Sequence, residues 1–189
     1  VGFFFPFFFM IMSVGAGIGM GGSAAISRFI GAHKKEEADN VAAHTIVLMI
    51  ILGIIITIPF VIFSRNIFEL MGAGNVIEDA TKYAQIMFAG TLLIFFSNVA
   101  NSILRGEGDA KRSMYAMAFG SVLNIILDPI FIYPLKMGVA GAAWASIISM
   151  VISSGILFYW LFIKKNSYVS INLSNFRFHK FILLDILRV

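Results

Sequence analysis

The sequence has 189 residues, of which 59% are hydrophobic and only 13% charged, with a mean hydropathy of +0.92. A water-soluble domain of this size is nearer half apolar and a quarter charged, so the composition excludes an ordinary soluble fold and makes the bilayer the solvent. The formal net charge of +4 does not mark a nucleic-acid binder, because the basic residues fall in short loops between apolar runs and form no basic face.

In chain order, the charge-free runs are Val1–Ser27, Asn40–Ser64, Tyr83–Leu104 and Met137–Ile163, with Ser113–Leu135 a fifth interrupted by one acid, Asp128. Each is long enough to cross a hydrocarbon core, for which roughly 20 apolar residues suffice. Backbone amides in lipid need partners within their own segment, so these runs are expected to be helices. The expected fold class is an all-α integral membrane protein with five transmembrane helices over about residues 3–30, 41–63, 83–104, 113–134 and 138–163. Residues 1–165 form the membrane unit, and 166–189 a cytoplasmic connector with the start of a further helix at Phe176–Val189. Val1 is not an initiator methionine, and the first run exceeds the roughly 7–15 residues of a signal-peptide core, so the chain is expected to begin inside something larger. The absence of cysteine excludes disulfides and leaves the redox compartment unread.

Loop charges orient the helices. Arg28, Lys34, Lys35, Arg105, Lys111, Arg112, Lys164, Lys165, Arg177 and Lys180 fall on one side, against Arg65, Lys82 and Lys136 on the other. The basic-rich side is the cytoplasmic one. Tyr83, Tyr115, Tyr133, Tyr159 and Trp160 lie near helix ends, where interfacial aromatics belong. In the outer loop, Ile67, Phe68, Leu70 and Met71 suggest a short surface turn broken by Gly72 and Gly74. Asn75 followed by Glu78 has capping-box spacing and predicts that the third helix starts before it enters lipid.

Gly17, Gly19 and Gly22 match a dinucleotide-binding pattern, but that pattern requires a preceding strand and a βαβ setting. The same run carries the pairs Gly15/Gly19 and Gly17/Gly21, whose four-residue spacing predicts a face for close helix approach, the preferred reading.

Asp128 is the one acid in the interior of a span. A carboxylate there costs roughly 2.5–3.5 kcal/mol on insertion scales, and such residues usually face a bundle interior and serve ion or proton movement. Asn124 lies one turn earlier on the same face, and Ser121 a turn before that. Pro129 has no amide hydrogen and leaves the Ile125 carbonyl without its helix donor. A carboxylate, an amide oxygen and a loose carbonyl within one turn suit a small hard cation, or a carboxylate that carries a proton. The plainer alternative is an acid at the outer interface that simply reaches water. Ser146, Ser149 and Ser153 form a stripe on the last span beside the small residues Gly138, Gly141, Ala142 and Ala145, a pattern that close packing alone explains. Asn98 and Asn101 read as interhelical hydrogen bonders, and His33, His44 and His179 lack metal-ligand spacing. No nucleophile–base pair suggests an enzyme.

Three segments carry a family resemblance. Gly19-Met-Gly-Gly-Ser-Ala-Ala-Ile-Ser-Arg-Phe-Ile-Gly31 resembles the end of the second helix of multidrug and toxic compound extrusion (MATE) transporters. Leu104-Arg-Gly-Glu-Gly-Asp-Ala-Lys-Arg-Ser-Met114 is similar to their turn between helices four and five. Leu123-Asn-Ile-Ile-Leu-Asp-Pro129 and Gly138-Val-Ala-Gly-Ala-Ala-Trp-Ala-Ser146 resemble helices five and six. The resemblance implies five helices of one six-helix lobe in a twelve-helix, multi-pass plasma-membrane antiporter. It implies export of small, often cationic organic compounds, driven by Na+ or H+ and needing no other cofactor. It also implies that Asn124 and Asp128 match the cation-site pair, with Ser146 at a hydroxyl-ligand position, and that a first helix and a second lobe are missing. Two alternatives are a lipid-linked oligosaccharide flippase of related fold, for which these spans lack the cavity Lys or Arg a pyrophosphate needs, and a non-transporting membrane remnant or scaffold.

Overall fold

A computed structural model describes residues 2–164, 167–171, 182–183 and 186. Among these residues every regular element is helical. A 3-10 turn, Gly2–Phe4, leads into α1 (Phe5–Gly31), followed by α2 (Lys35–Leu70), α3 (Ile77–Ala89), α4 (Thr91–Gly106), α5 (Ala110–Ile132) and α6 (Gly138–Phe158). A π-helical turn, Tyr159–Ile163, extends α6. Four of these helices are long and apolar enough to span a membrane alone, and α3 and α4 can cross together as a fifth. The expected further helix at Phe176–Val189 falls largely outside the described residues.

Three features depart from the expected spans. α2 runs for 36 residues, about 54 Å at 1.5 Å per residue against a core of about 30 Å, so it is longer than the span it would make. Ile67, Phe68, Leu70 and Met71 are therefore not a separate surface turn; α2 runs through Leu70 and stops where Gly72 takes φ +73°. The third span is not one helix but two, meeting at Gly90 with a 43° bend. A side chain at Gly90 would meet the Ile147 side chain of α6, so the bend lies against that helix. The Asn75–Glu78 capping box does not form. Asn75 lies inside a 3-10 turn, Gly74–Val76, and α3 begins at Ile77 without a side-chain cap.

The two ends of the bundle are held by different chemistry. Near the N-terminal end of α1, rings from α1, α2 and α3 interlock: Phe7 meets Phe60 at 5.5 Å and Phe88 at 6.1 Å between centroids, while Phe60 and Phe88 lie 5.0 Å apart. Such pairs add about 0.5–1.5 kcal/mol each beyond area burial. Nearer the C-terminal end of α1, glycines let the backbones close in. A Cβ on Gly19 would stand 2.6 Å from Ser102 Oγ of α4, and one on Gly22 would stand 2.6 Å from the Thr45 side chain of α2. Gly15 is similarly covered by Phe95 and Asn98, and Gly21 by the backbone of Ile186. Gly17 differs: a Cβ there meets nothing within 4 Å among the described residues, since it stands two residues, about 200° around the helix, from Gly15 and Gly19 and so faces away from α4.

The α4–α5 turn shows why its sequence is glycine-rich and charged. Gly106 sits against the Ser23 backbone of α1, and Gly108 takes φ +92°. Asp109 then caps α5, accepting from the Arg112 amide at 3.1 Å and pairing with its guanidinium at 3.0 Å. Glu107 accepts from the Ser167 hydroxyl and, at 3.2 Å, from the Val169 amide. Asp39 at the start of α2 accepts from the Ser170 amide at 2.8 Å. The segment after α6 is thus fastened across the start of α2 and the end of α4. Half-burial raises the Asp39 carboxyl above its ordinary range, against the lowering effects of the Ser170 amide and Lys35.

Candidate functional site

The seam between α5 and α6 is close because both helices present small residues to it. A Cβ on Gly120 would lie 3.0 Å from Ser153, and one on Gly141 only 2.7 Å from the Phe131 carbonyl. Between these two points the helices bring their polar side chains into reach. The Asn124 amide nitrogen donates to Ser146 Oγ at 3.3 Å and to Asp128 Oδ1 at 3.4 Å. Asn124 and Asp128 share a face of α5 as their four-residue spacing requires, and Ser146 arrives from α6. All three are half-buried. Tyr83 of α3 lies within electrostatic reach of Asp128. Pro129 does not end α5, which continues to Ile132.

The chemistry of the set is that of hard oxygen donors: a carboxylate, a hydroxyl, and a primary amide. Rotating the Asn124 amide by half a turn exchanges its nitrogen and oxygen with little change of shape. The same side chain can therefore donate to an ionised Asp128 or turn its oxygen to a cation held there. These residues fit a small monovalent cation or a proton. Among the described residues no group of three or more His, Cys, Asp or Glu gathers as a transition-metal site would require.

Asn124 and Ser146 also line a cleft of about 330 Å³ enclosed by α1, α4, α5 and α6. Its polar wall includes Asn98, Asn101, Ser121, Ser149 and Ser153, and its apolar wall Met12, Met117 and Met150. Of the serine stripe, Ser149 bonds its own helix at Ala145 (2.8 Å) and Ser153 reaches across to the Ala116 carbonyl of α5 (2.9 Å). Asn101 accepts from Ser113 of α5 at 2.9 Å, and Arg105 donates to Ser102 and Ser113 at 2.8 and 3.4 Å. Asn98 donates to Ile94 of its own helix at 3.0 Å. The cleft and its three methionines have no sequence signal, since Met12, Met117 and Met150 look like any apolar residue until four helices bring them together.

The MatE family model matches residues 1–130. The chain belongs to the MatE family. Members of this family are multi-pass membrane transporters and not enzymes. The chain is 33% identical over 168 residues to "Probable multidrug resistance protein YoeA" of Bacillus subtilis, covering 86% of this chain and 36% of that protein. It is 32% identical over 185 residues to "Multidrug export protein MepA" of Staphylococcus saprophyticus, covering 97% and 41%. Among solved structures, it superposes with TM-score 0.95 and 53% identity on an inward-facing multidrug resistance MATE family transporter, covering 100% of this chain and 43% of that one. A MOP superfamily transporter from Pyrococcus furiosus, described as having a binding pocket of reversed polarity that suggests a different function, matches with TM-score 0.96 and 53% identity over 100% and 42%. The chain thus spans about two fifths of the length of these MatE relatives.

Proposed function

We propose that this MatE chain forms most of one lobe of a cation-coupled exporter of small organic compounds, with Asp128, Asn124 and Ser146 taking the coupling Na+ or H+. The observation that carries the reading is the Asn124 bridge, which ties an intramembrane carboxylate on α5 to a hydroxyl on α6. A packing protein has no use for so costly a group at that depth. Asp128 would supply the charge, Ser146 a neutral oxygen, and Asn124 a group able to serve either protonation or cation binding. Na+ and H+ would then compete for the same carboxylate oxygens, a direct basis for exchanging one bound state for another.

The adjoining cleft supports organic substrates. Its volume lies at the lower end of the roughly 300–1,000 Å³ typical of ligand pockets, and flexible methionines opposite amide and hydroxyl groups accommodate varied shapes. The relatives named for multidrug export support the same reading, and their greater length implies companion segments that complete the transport path. The test uses the full-length transporter in vesicles loaded with a fluorescent organic cation. Efflux is expected only when an inward Na+ or H+ gradient is imposed, and equal efflux with the gradient collapsed would refute coupling.

A further inference from the structure

The outer ends of α2 and α3 enclose a second cavity, of about 260 Å³, lined by Arg65, Ile77, Glu78, Thr81 and Lys82. Two of the three basic residues assigned to outer loops by charge asymmetry are gathered here. Arg65 follows the apolar run of the second span and Lys82 precedes that of the third, which puts both at the level of lipid headgroups. Arg65 spends Nε on Glu69 at 3.1 Å and keeps its two terminal nitrogens for other acceptors. Lys82 makes no hydrogen bond or ion pair among the described residues. The Thr81 hydroxyl is buried and has no hydrogen-bond partner among the described residues. On α2, within one turn of Arg65 on its apolar side, Ile62 and Phe63 are 62% and 54% exposed and offer an apolar surface beside the charges.

We propose that this cavity binds the headgroup of an amine-bearing phospholipid of the outer leaflet. Arg65 and Lys82 would hold the phosphate, the Thr81 hydroxyl would donate to it, and Glu78 would take the ammonium. Charge decides the class of ligand. A purely anionic headgroup would meet the Glu78 carboxylate, and a simple cation would meet Arg65 and Lys82. A zwitterion with phosphate and ammonium a few bonds apart satisfies both signs at once. A lipid is favoured over a soluble phosphate ester because the flanking apolar side chains can carry its acyl chains.

The test uses the full-length transporter reconstituted with equal parts of phosphatidylethanolamine, phosphatidylcholine and phosphatidylglycerol, and counts lipids retained by native mass spectrometry. Wild type is expected to retain phosphatidylethanolamine in preference, and Arg65→Gln/Lys82→Gln to retain it at least about tenfold less, since the loss of even one charge-assisted hydrogen bond weakens binding by about that much. Glu78→Gln, which keeps both cations, should shift preference toward phosphatidylglycerol. That shift is a readout a misfolded protein would not give. Unchanged retention and selectivity in all variants would overturn the site. Displacement of the lipid by millimolar phosphoethanolamine or inorganic phosphate would overturn its assignment to a lipid.

Discussion

Asn124 and Ser146 are 22 residues apart in the chain and on different helices, yet the Asn124 amide reaches the Ser146 hydroxyl at 3.3 Å while also contacting Asp128. The contact depends on Gly120 and Gly141, which let α5 and α6 approach on either side of it. If Ser146 supplies an oxygen to the coupling cation, Ser146→Ala removes one neutral contact worth about 0.5–1.5 kcal/mol, a rate loss of roughly 2–13-fold. Ser146→Thr keeps the hydroxyl and should restore most of the rate. Gradient-driven efflux by the two full-length variants at matched abundance measures this, and equal loss in both would make the effect steric.

The glycine face makes a paired prediction. Thr45 is fully buried and its hydroxyl is tied to the Val41 carbonyl at 2.8 Å, so it cannot swing away from a Cβ at position 22. Gly22→Ala should destabilise by about 1–3 kcal/mol, as overpacking does. Gly17→Ala meets open space and removes a flexible residue from a helix interior, a gain of up to about 1 kcal/mol. Thermal unfolding in detergent should therefore rank Gly17→Ala at or above wild type and Gly22→Ala below it; the reverse order would contradict the packing.

Asp39 predicts a sign. Its carboxyl is raised above the ordinary range, chiefly by burial, with Lys35 lowering and Glu36 raising it. The folded state therefore binds a proton that the unfolded state has already lost. Asp39 contributes most at low pH, and that contribution disappears as pH rises through its folded pKa. The difference in melting temperature between wild type and Asp39→Asn should accordingly shift against wild type as pH rises from just below the ordinary carboxylate range to above the raised value. A difference that is flat, or that moves the other way, would rule out the raised carboxyl.

Much of the fold was legible because long charge-free runs have one stable outcome in lipid. The fold class and the family follow from those runs and from short motifs such as Leu123–Pro129. Hydropathy marks the apolar stretch and not the helix, so it stopped short of the ends of α2 at Lys35 and Leu70. The bend at Gly90 was hidden because a lone glycine in an apolar run is common, and the Ile147 side chain that faces it is on another helix. Gly17 and Gly19 look alike in sequence, and only the position of α4 separates the exposed one from the packed one. The pairing of Asn124 with Asp128 is a local spacing and could be read directly. Ser146 could not, since nothing in the chain states how α5 and α6 register; it came from family resemblance.

The most direct test of the central claim replaces the intramembrane acid in the full-length transporter. Asp128→Asn keeps the size and the capacity to contact Asn124 while removing the charge and the exchangeable proton. In vesicles with an imposed Na+ or H+ gradient, this variant is predicted to lose gradient-driven efflux at near-normal abundance. Transport at the parental rate with the parental ion dependence would contradict the account and leave Asp128 a hydrated helix residue.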